Sequence, residues 1–101
     1  MLLRDDLFYH GVRNWPPDWT WVDGRENKPP QGEIGILTSV VPSMVLPANR
    51  CFLYIDYEGS SYMGCLLFDD RNFCCQVVTH LKNHLDKPIS EIGSLDVSHI
   101  L

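Results

Sequence analysis

Cys51-Phe52-Leu53-Tyr54-Ile55-Asp56-Tyr57-Glu58-Gly59-Ser60-Ser61-Tyr62-Met63-Gly64-Cys65-Leu66-Leu67-Phe68 sets two runs of mostly aromatic and aliphatic residues either side of Gly59-Ser60. Gly followed by a small residue is the composition of a two-residue type II′ turn, so the stretch predicts a β-hairpin with Glu58 opposite Ser61. Side chains alternate across a strand, and pairing by reflection sorts them into two sets. Cys51, Leu53, Ile55 and Tyr57 share one face with Tyr62, Gly64, Leu66 and Phe68. Phe52, Tyr54, Asp56 and Glu58 share the other with Ser61, Met63, Cys65 and Leu67. A slip of one residue would mix the sets, so the hydrophobic pattern itself holds the register. The second set is polar only beside the turn. Its far end, around Phe52, Tyr54, Met63, Cys65 and Leu67, calls for cover from the rest of the chain or from a partner.

The hairpin runs straight into a helix. Asp69-Asp70 offers an N-cap, and two carboxylates complement the positive end of the helix dipole. Phe73, Cys74, Val77, Val78, Leu81 and Leu85 recur at three- and four-residue intervals and form one apolar stripe. Gln76, Thr79, His80, Lys82 and Asn83 take the opposite side. Asp86-Lys87-Pro88 ends the helix, because a residue before proline is pushed out of the α region. The predicted helix spans 70–86.

At 101 residues, 45% hydrophobic and 21% charged, the chain has an ordinary globular composition and fits one domain. Its net charge is −5, and its eight basic residues are scattered, which argues against a nucleic-acid partner. No apolar run of membrane-spanning length is present, and Met1 to Asp6 leads into no apolar signal core, so neither a membrane partner nor a secretory signal is expected. The four cysteines, at 51, 65, 74 and 75, show no C-x-x-C spacing. Reduced thiols in a cytoplasmic protein are the simplest expectation.

Upstream, Leu2, Leu3, Leu7, Phe8 and Val12 fit either a short helix or an irregular arm. In Trp15-Pro16-Pro17-Asp18-Trp19-Thr20-Trp21 the prolines stiffen the chain, and Trp19 and Trp21 share a face if it runs extended. Residues 22–32 read as loop. Residues 33–41 read as a strand with Ile34, Ile36 and Val40 on one face and Leu37 and Val41 on the other. Pro42 and Pro47 bracket a loop or edge segment expected to pack Met44 and Leu46 inward. The tail carries Ile89, Ile92, Leu95 and Val97 for docking on the core.

One domain of four parts results: an irregular aromatic arm and loop (1–31), antiparallel strands (32–69), the helix (70–86) and a docking tail (87–101). The fold class is α+β. Gly32-Glu33-Ile34-Gly35-Ile36-Leu37 followed by such a hairpin resembles the small SH3-like and KOW-type barrels over residues 32–69. The resemblance implies a barrel as an alternative to a small antiparallel sheet of three to five strands, with one C-terminal amphipathic helix packed on it. It implies no function, since such barrels host unrelated partners.

Residues of catalytic type are present without catalytic spacing. His80-x-x-x-His84 could bring two imidazoles to one helical face, but Leu81 stands where a zinc-protease motif has Glu, and no second pair of ligands follows. Asp96, Ser98 and His99 are neighbours in sequence, whereas triad members meet through the fold. Asp56, Asp69 and Asp70 belong to a strand face and a helix cap. No glycine-rich phosphate loop is present. Cys74 or Cys75 near a helix N-terminus could have a lowered pKa and act as nucleophile, though no histidine stands ready as its base. No metal, cofactor or catalytic residue is therefore expected.

The expected function is a non-enzymatic interaction module, binding a protein partner or itself through an aromatic surface of Trp15, Trp19 and Trp21 with Phe52 and Tyr54. Trp15, held out by Pro16-Pro17, is the expected exposed member, and Trp19 or Trp21 the structural one. The alternative for the tryptophans is a lid over the second hairpin face. Rival functions are a thiol enzyme or redox protein using Cys74 or Cys75, and a nucleic-acid-binding barrel that the acidic charge opposes.

Overall fold

The computed structural model describes residues 1–25, 28–30, 34–43 and 49–97. The chain runs α1 (Leu3–Tyr9), β1 (Thr20–Gly24), β2 (Ile36–Pro42), β3 (Arg50–Tyr57), β4 (Ser60–Leu67), α2 (Arg71–Lys82) and α3 (Ile89–Gly93). The strands form one open antiparallel sheet in the order β1-β4-β3-β2. Of the two architectures expected, the open sheet is the one present.

The hairpin keeps its predicted faces on a different register. Its turn is Glu58-Gly59, with φ of 52° and 82°, so Tyr57 faces Ser60 and Ile55 faces Tyr62. Two positive φ values mark a type I′ turn, whose twist matches that of the strands; Gly59 takes one of them without strain. Moving the turn by one residue moves every partner by two, which preserves parity. Arg25 holds the turn there. Its guanidinium donates to the Glu58 carbonyl at 2.8 Å, and the Ser60 hydroxyl donates to the Arg25 carbonyl.

Burial then follows the expected partition. Cys51, Leu53, Ile55, Tyr62 and Leu66 are buried, and the intervening residues of both strands are half-buried or exposed. β2 departs from prediction. A bulge between Leu37 and Ser39 resets its alternation, so Leu37 and Val40 face inward together opposite Ile55 and Leu53. Ile34, expected within the strand on the face of Ile36 and Val40, lies before the strand and is exposed. Thr38, within the bulge, donates its hydroxyl to the Tyr54 carbonyl at 3.0 Å. Met44 and Leu46 lie outside the described residues.

The arm and loop predicted over 1–31 hold two regular elements, α1 and β1. Leu3 and Leu7 on α1, and Val12 beyond it, are buried in the core. β1 pairs with β4, Thr20 against Met63 and Gly24 against Ser60, with a bulge at Val22. Long-range pairing with β4 imposes this strand on a stretch that lacks regular alternation.

α2 starts where predicted. Asp70 is its N-cap, and the carboxylate accepts from the Asn72 amide at 2.8 Å and more weakly from Phe73. Phe73, Cys74, Val77, Val78 and Leu81 are buried. The helix ends at Lys82, earlier than predicted, and Leu85 is exposed because the chain has left the helical path. His80 is buried instead of facing solvent, since the helix presents to the core a face broad enough to include it. Ile89 and Ile92 dock through α3, and Val97 follows them into the core.

Residues from α1, α2 and α3 share one apolar cluster with Leu37, Val40, Cys51, Leu53, Ile55, Tyr62 and Leu66. Every sheet member of that cluster lies on one face, hereafter the inner face. Leu66 and Leu67 are therefore adjacent in sequence and opposite in fate, 0% and 56% exposed. Leu66→Ala should cost about 2–5 kcal/mol in chemical denaturation, as large-to-small core changes do. Leu67→Ala should stay within about 0.5 kcal/mol. Equal losses would contradict the assignment of faces.

Candidate functional site

Gly64 explains where the aromatic arm goes. It sits on the inner face, and a Cβ built there would lie 2.5 Å from Pro17 Cγ and 2.7 Å from Trp19 Cζ3. Only glycine leaves room for that approach. Trp19 is consequently 7% exposed and belongs to the core cluster. The arm also hydrogen-bonds along β4, the Asn14 side-chain amide donating to the Cys65 carbonyl at 2.7 Å. The tryptophan lid is thus present in part, but over the inner face and not over the second face of the hairpin.

The five aromatic residues expected at one surface are divided. Trp15 is half-buried against the core, its indole nitrogen buried without a hydrogen-bond partner. Trp21, opposite Tyr62 on the edge strand, is 44% exposed and donates to the Arg25 carbonyl at 3.2 Å. The exposed tryptophan is therefore Trp21 and not Trp15. Phe52 and Tyr54 lie on the other face of the sheet, away from Trp19.

That outer face has a regular layout fixed by the strand registers. One row holds Val41, Phe52 and Cys65; the next holds Ser39, Tyr54, Met63 and Thr20. Beyond the first row lie Arg50 and Leu67, and beyond the second lie Asp56, Ser61 and Asp23. None of these residues belongs to the apolar core cluster. Val41, Phe52, Tyr54, Met63, Cys65 and Leu67 form a contiguous, mainly apolar surface whose members are half-buried or exposed. Antiparallel sheets tolerate one solvated face, but that face is then usually polar.

On the arm side, Pro16, Pro17 and Trp19 border an open groove of about 450 Å³, closed opposite by Pro29 and Pro30. The Tyr62 hydroxyl fastens this opposite wall by donating to the Lys28 carbonyl at 3.0 Å.

The cysteines are unpaired. Cys51 and Cys74 are buried, and burial pushes both thiols up, Cys74 to about 11. Burial also raises Cys65, against a smaller opposing pull from the charge of Arg50. A helix N-terminus does not lower the Cys74 pKa, because the desolvated thiolate is the more expensive state. Cys75 is exposed.

His80 and His84 have ring centroids 4.7 Å apart. No group of three or more metal-ligating side chains forms among the described residues. Ser98 and His99 lie outside those residues. The sequence reading missed Asp6, a buried carboxylate with His10 Nδ1 3.3 Å from its Oδ1; the same nitrogen lies 2.9 Å from the Asp6 backbone carbonyl. The His10 ring stacks on Phe73, centroids 4.1 Å apart, so this pair joins α1 to α2. Its i,i+4 spacing was the available signal. No helix among the described residues is long and apolar enough to cross a membrane.

Comparison with protein-family models, curated proteins and solved structures returns no match to this chain.

The cysteine environment sets a pH dependence. A thiol raised in the folded state keeps its proton there while the unfolded chain ionises. Its contribution to stability is whole below the ordinary value of 9.0 and is lost as pH rises to about 11. Denaturation midpoints should fall across that window, and Cys74→Ala should flatten the fall. A slope unchanged by Cys74→Ala would contradict the burial of this thiol.

Proposed function

We propose that this chain is a non-enzymatic protein-interaction module whose working surface is the outer face of the sheet, with Phe52 and Tyr54 at its centre. The observation that carries this reading is the contrast between the two faces. One is covered by three helices and the aromatic arm; the other is apolar along two rows and is covered by none of those helices. Contiguous apolar surface on a small protein is costly in water and marks an interaction site. Aromatic residues at the middle of such a patch make the best anchors.

Of the aromatic residues expected to bind, Phe52 and Tyr54 suit the role; Trp21, exposed on the edge strand, has the parity of Tyr62 and so belongs to the inner side. Trp19 serves the core. The thiol-enzyme reading has less support, since Cys74 is buried with its pKa raised, the reverse of an activated nucleophile. A net charge of −5 disfavours nucleic acid. Free cysteines suit a reducing, cytoplasmic setting.

Phe52→Asp should leave the fold intact, because the side chain is outside the core, and should abolish association with any protein recovered on the immobilised wild-type chain, itself included. Gln76→Ala, on an exposed position of α2, should change nothing. Identical recovery by wild type and Phe52→Asp would overturn the assignment of the outer face.

A further inference from the structure

The charges of the outer face are segregated. Arg50 stands at one end of β3 and Asp56 at the other, with Phe52 and Tyr54 between them along the same side of the strand. At the usual strand rise the two charges are about 20 Å apart. Both are exposed, and neither has an ion-pair partner among the described residues. Arg50 pairs with Leu67 of β4, which places it on this face. On β1, beyond β4, Asp23 lies at the acidic end.

This layout is complementary to itself. We propose that the outer face binds a second copy of the same chain, the two sheets packing face to face about a two-fold axis that lies between them and crosses the strands. The inference rests on the outer face being the working surface. Such an axis lays each β3 antiparallel over its counterpart. Arg50 of one copy meets Asp56 of the other, and symmetry makes the contact twice. The same operation sets Phe52 over Tyr54 and, on β4, Cys65 over Met63. The two apolar rows cover each other, and the charges close both ends.

The geometry of packed sheets permits these contacts. Facing sheets lie about 10 Å apart, which an arginine and an aspartate side chain span together. The charges are also the reason to prefer a second copy over another occupant. An anionic surface, whether nucleic acid or membrane, would meet Asp23 and Asp56 with one arginine to offset them. An unrelated protein would have to present the same two charges, reversed and equally spaced. A second copy presents them by construction.

The face is four strands wide and about 20 Å long, so its flat area is on the order of 400 Å² per copy. Standard interfaces bury roughly 800 Å² per partner. The dimer is therefore weak, forms at high micromolar concentration and loosens with salt, which screens its exposed ion pairs.

Sedimentation equilibrium of the full chain, from low to high micromolar concentration, tests the proposal. Wild type should shift from monomer to dimer. Arg50→Asp and Asp56→Arg should each weaken association by at least about tenfold, because each places like charges opposite one another. Neither touches the core, and near-ultraviolet circular dichroism should confirm that both remain folded. An equimolar mixture of the two variants should form heterodimers, since every contact between them again joins opposite charges. A wild type that stays monomeric, a dimer indifferent to Arg50→Asp, or variants that fail to pair would each overturn the two-fold arrangement. A monomeric wild type that still captures another protein in a Phe52-dependent way would overturn the dimer and leave the outer face as the working surface. A dimer unaffected by both Arg50→Asp and Phe52→Asp would remove both.

Discussion

The rest of the structure depends on the alternation of side chains along β3 and β4. Each residue of a strand faces opposite to its neighbours, so one hairpin presents two chemically independent surfaces. Here Cys51, Leu53, Ile55, Tyr62 and Leu66 all point to the helices. The residues between them are free to serve something else. Any rearrangement of odd parity would bury Asp56 and expose Leu53 and Ile55 together, which is why the register tolerates a shift of two and not of one. The two bulges, in β1 and β2, are absorbed at the edge strands and leave the central pair intact.

Much of this was legible in the sequence, for local reasons. The two faces of the hairpin depend on parity alone and were correct despite the misplaced turn. The N-cap at Asp70 and the stripe from Phe73 to Leu81 follow from spacing within one helix. Features that depend on distant residues were not legible. Thr20–Gly24 becomes a strand only because β4 is there to pair with it. The turn sits at Glu58-Gly59 because Arg25, far away in sequence, holds both of its sides. The bulge in β2 reverses the inward set at Thr38, and nothing in Ile36-Leu37-Thr38-Ser39-Val40 announces it.

The tryptophans show the same limit more sharply. Three of them close together suggested a common surface, yet each meets a different environment. Trp19 is drawn to the inner face by the space over Gly64, and Trp15 packs at the margin of the core. Trp21 remains outside on the edge strand. A glycine inside a strand rich in large residues was the local sign that something must approach closely. Which residue approaches is decided by the path of the arm. Trp19 is committed to the core, whereas Phe52 and Tyr54 lie on the opposite face, where charge and apolar surface are arranged in a repeatable order.

The central claim is that one parity of the sheet builds the fold and the other meets a partner, here a second copy. Adjacent residues of opposite parity report on it separately. Methyl resonances of Val41, Met63 and Leu67 on the outer side, and of Val40, Leu53 and Leu66 on the inner side, can be followed by NMR from dilute to concentrated solution. The outer set should shift together and saturate with concentration while the inner set holds still. Shifts shared equally by both sets, or confined to the inner one, would contradict it.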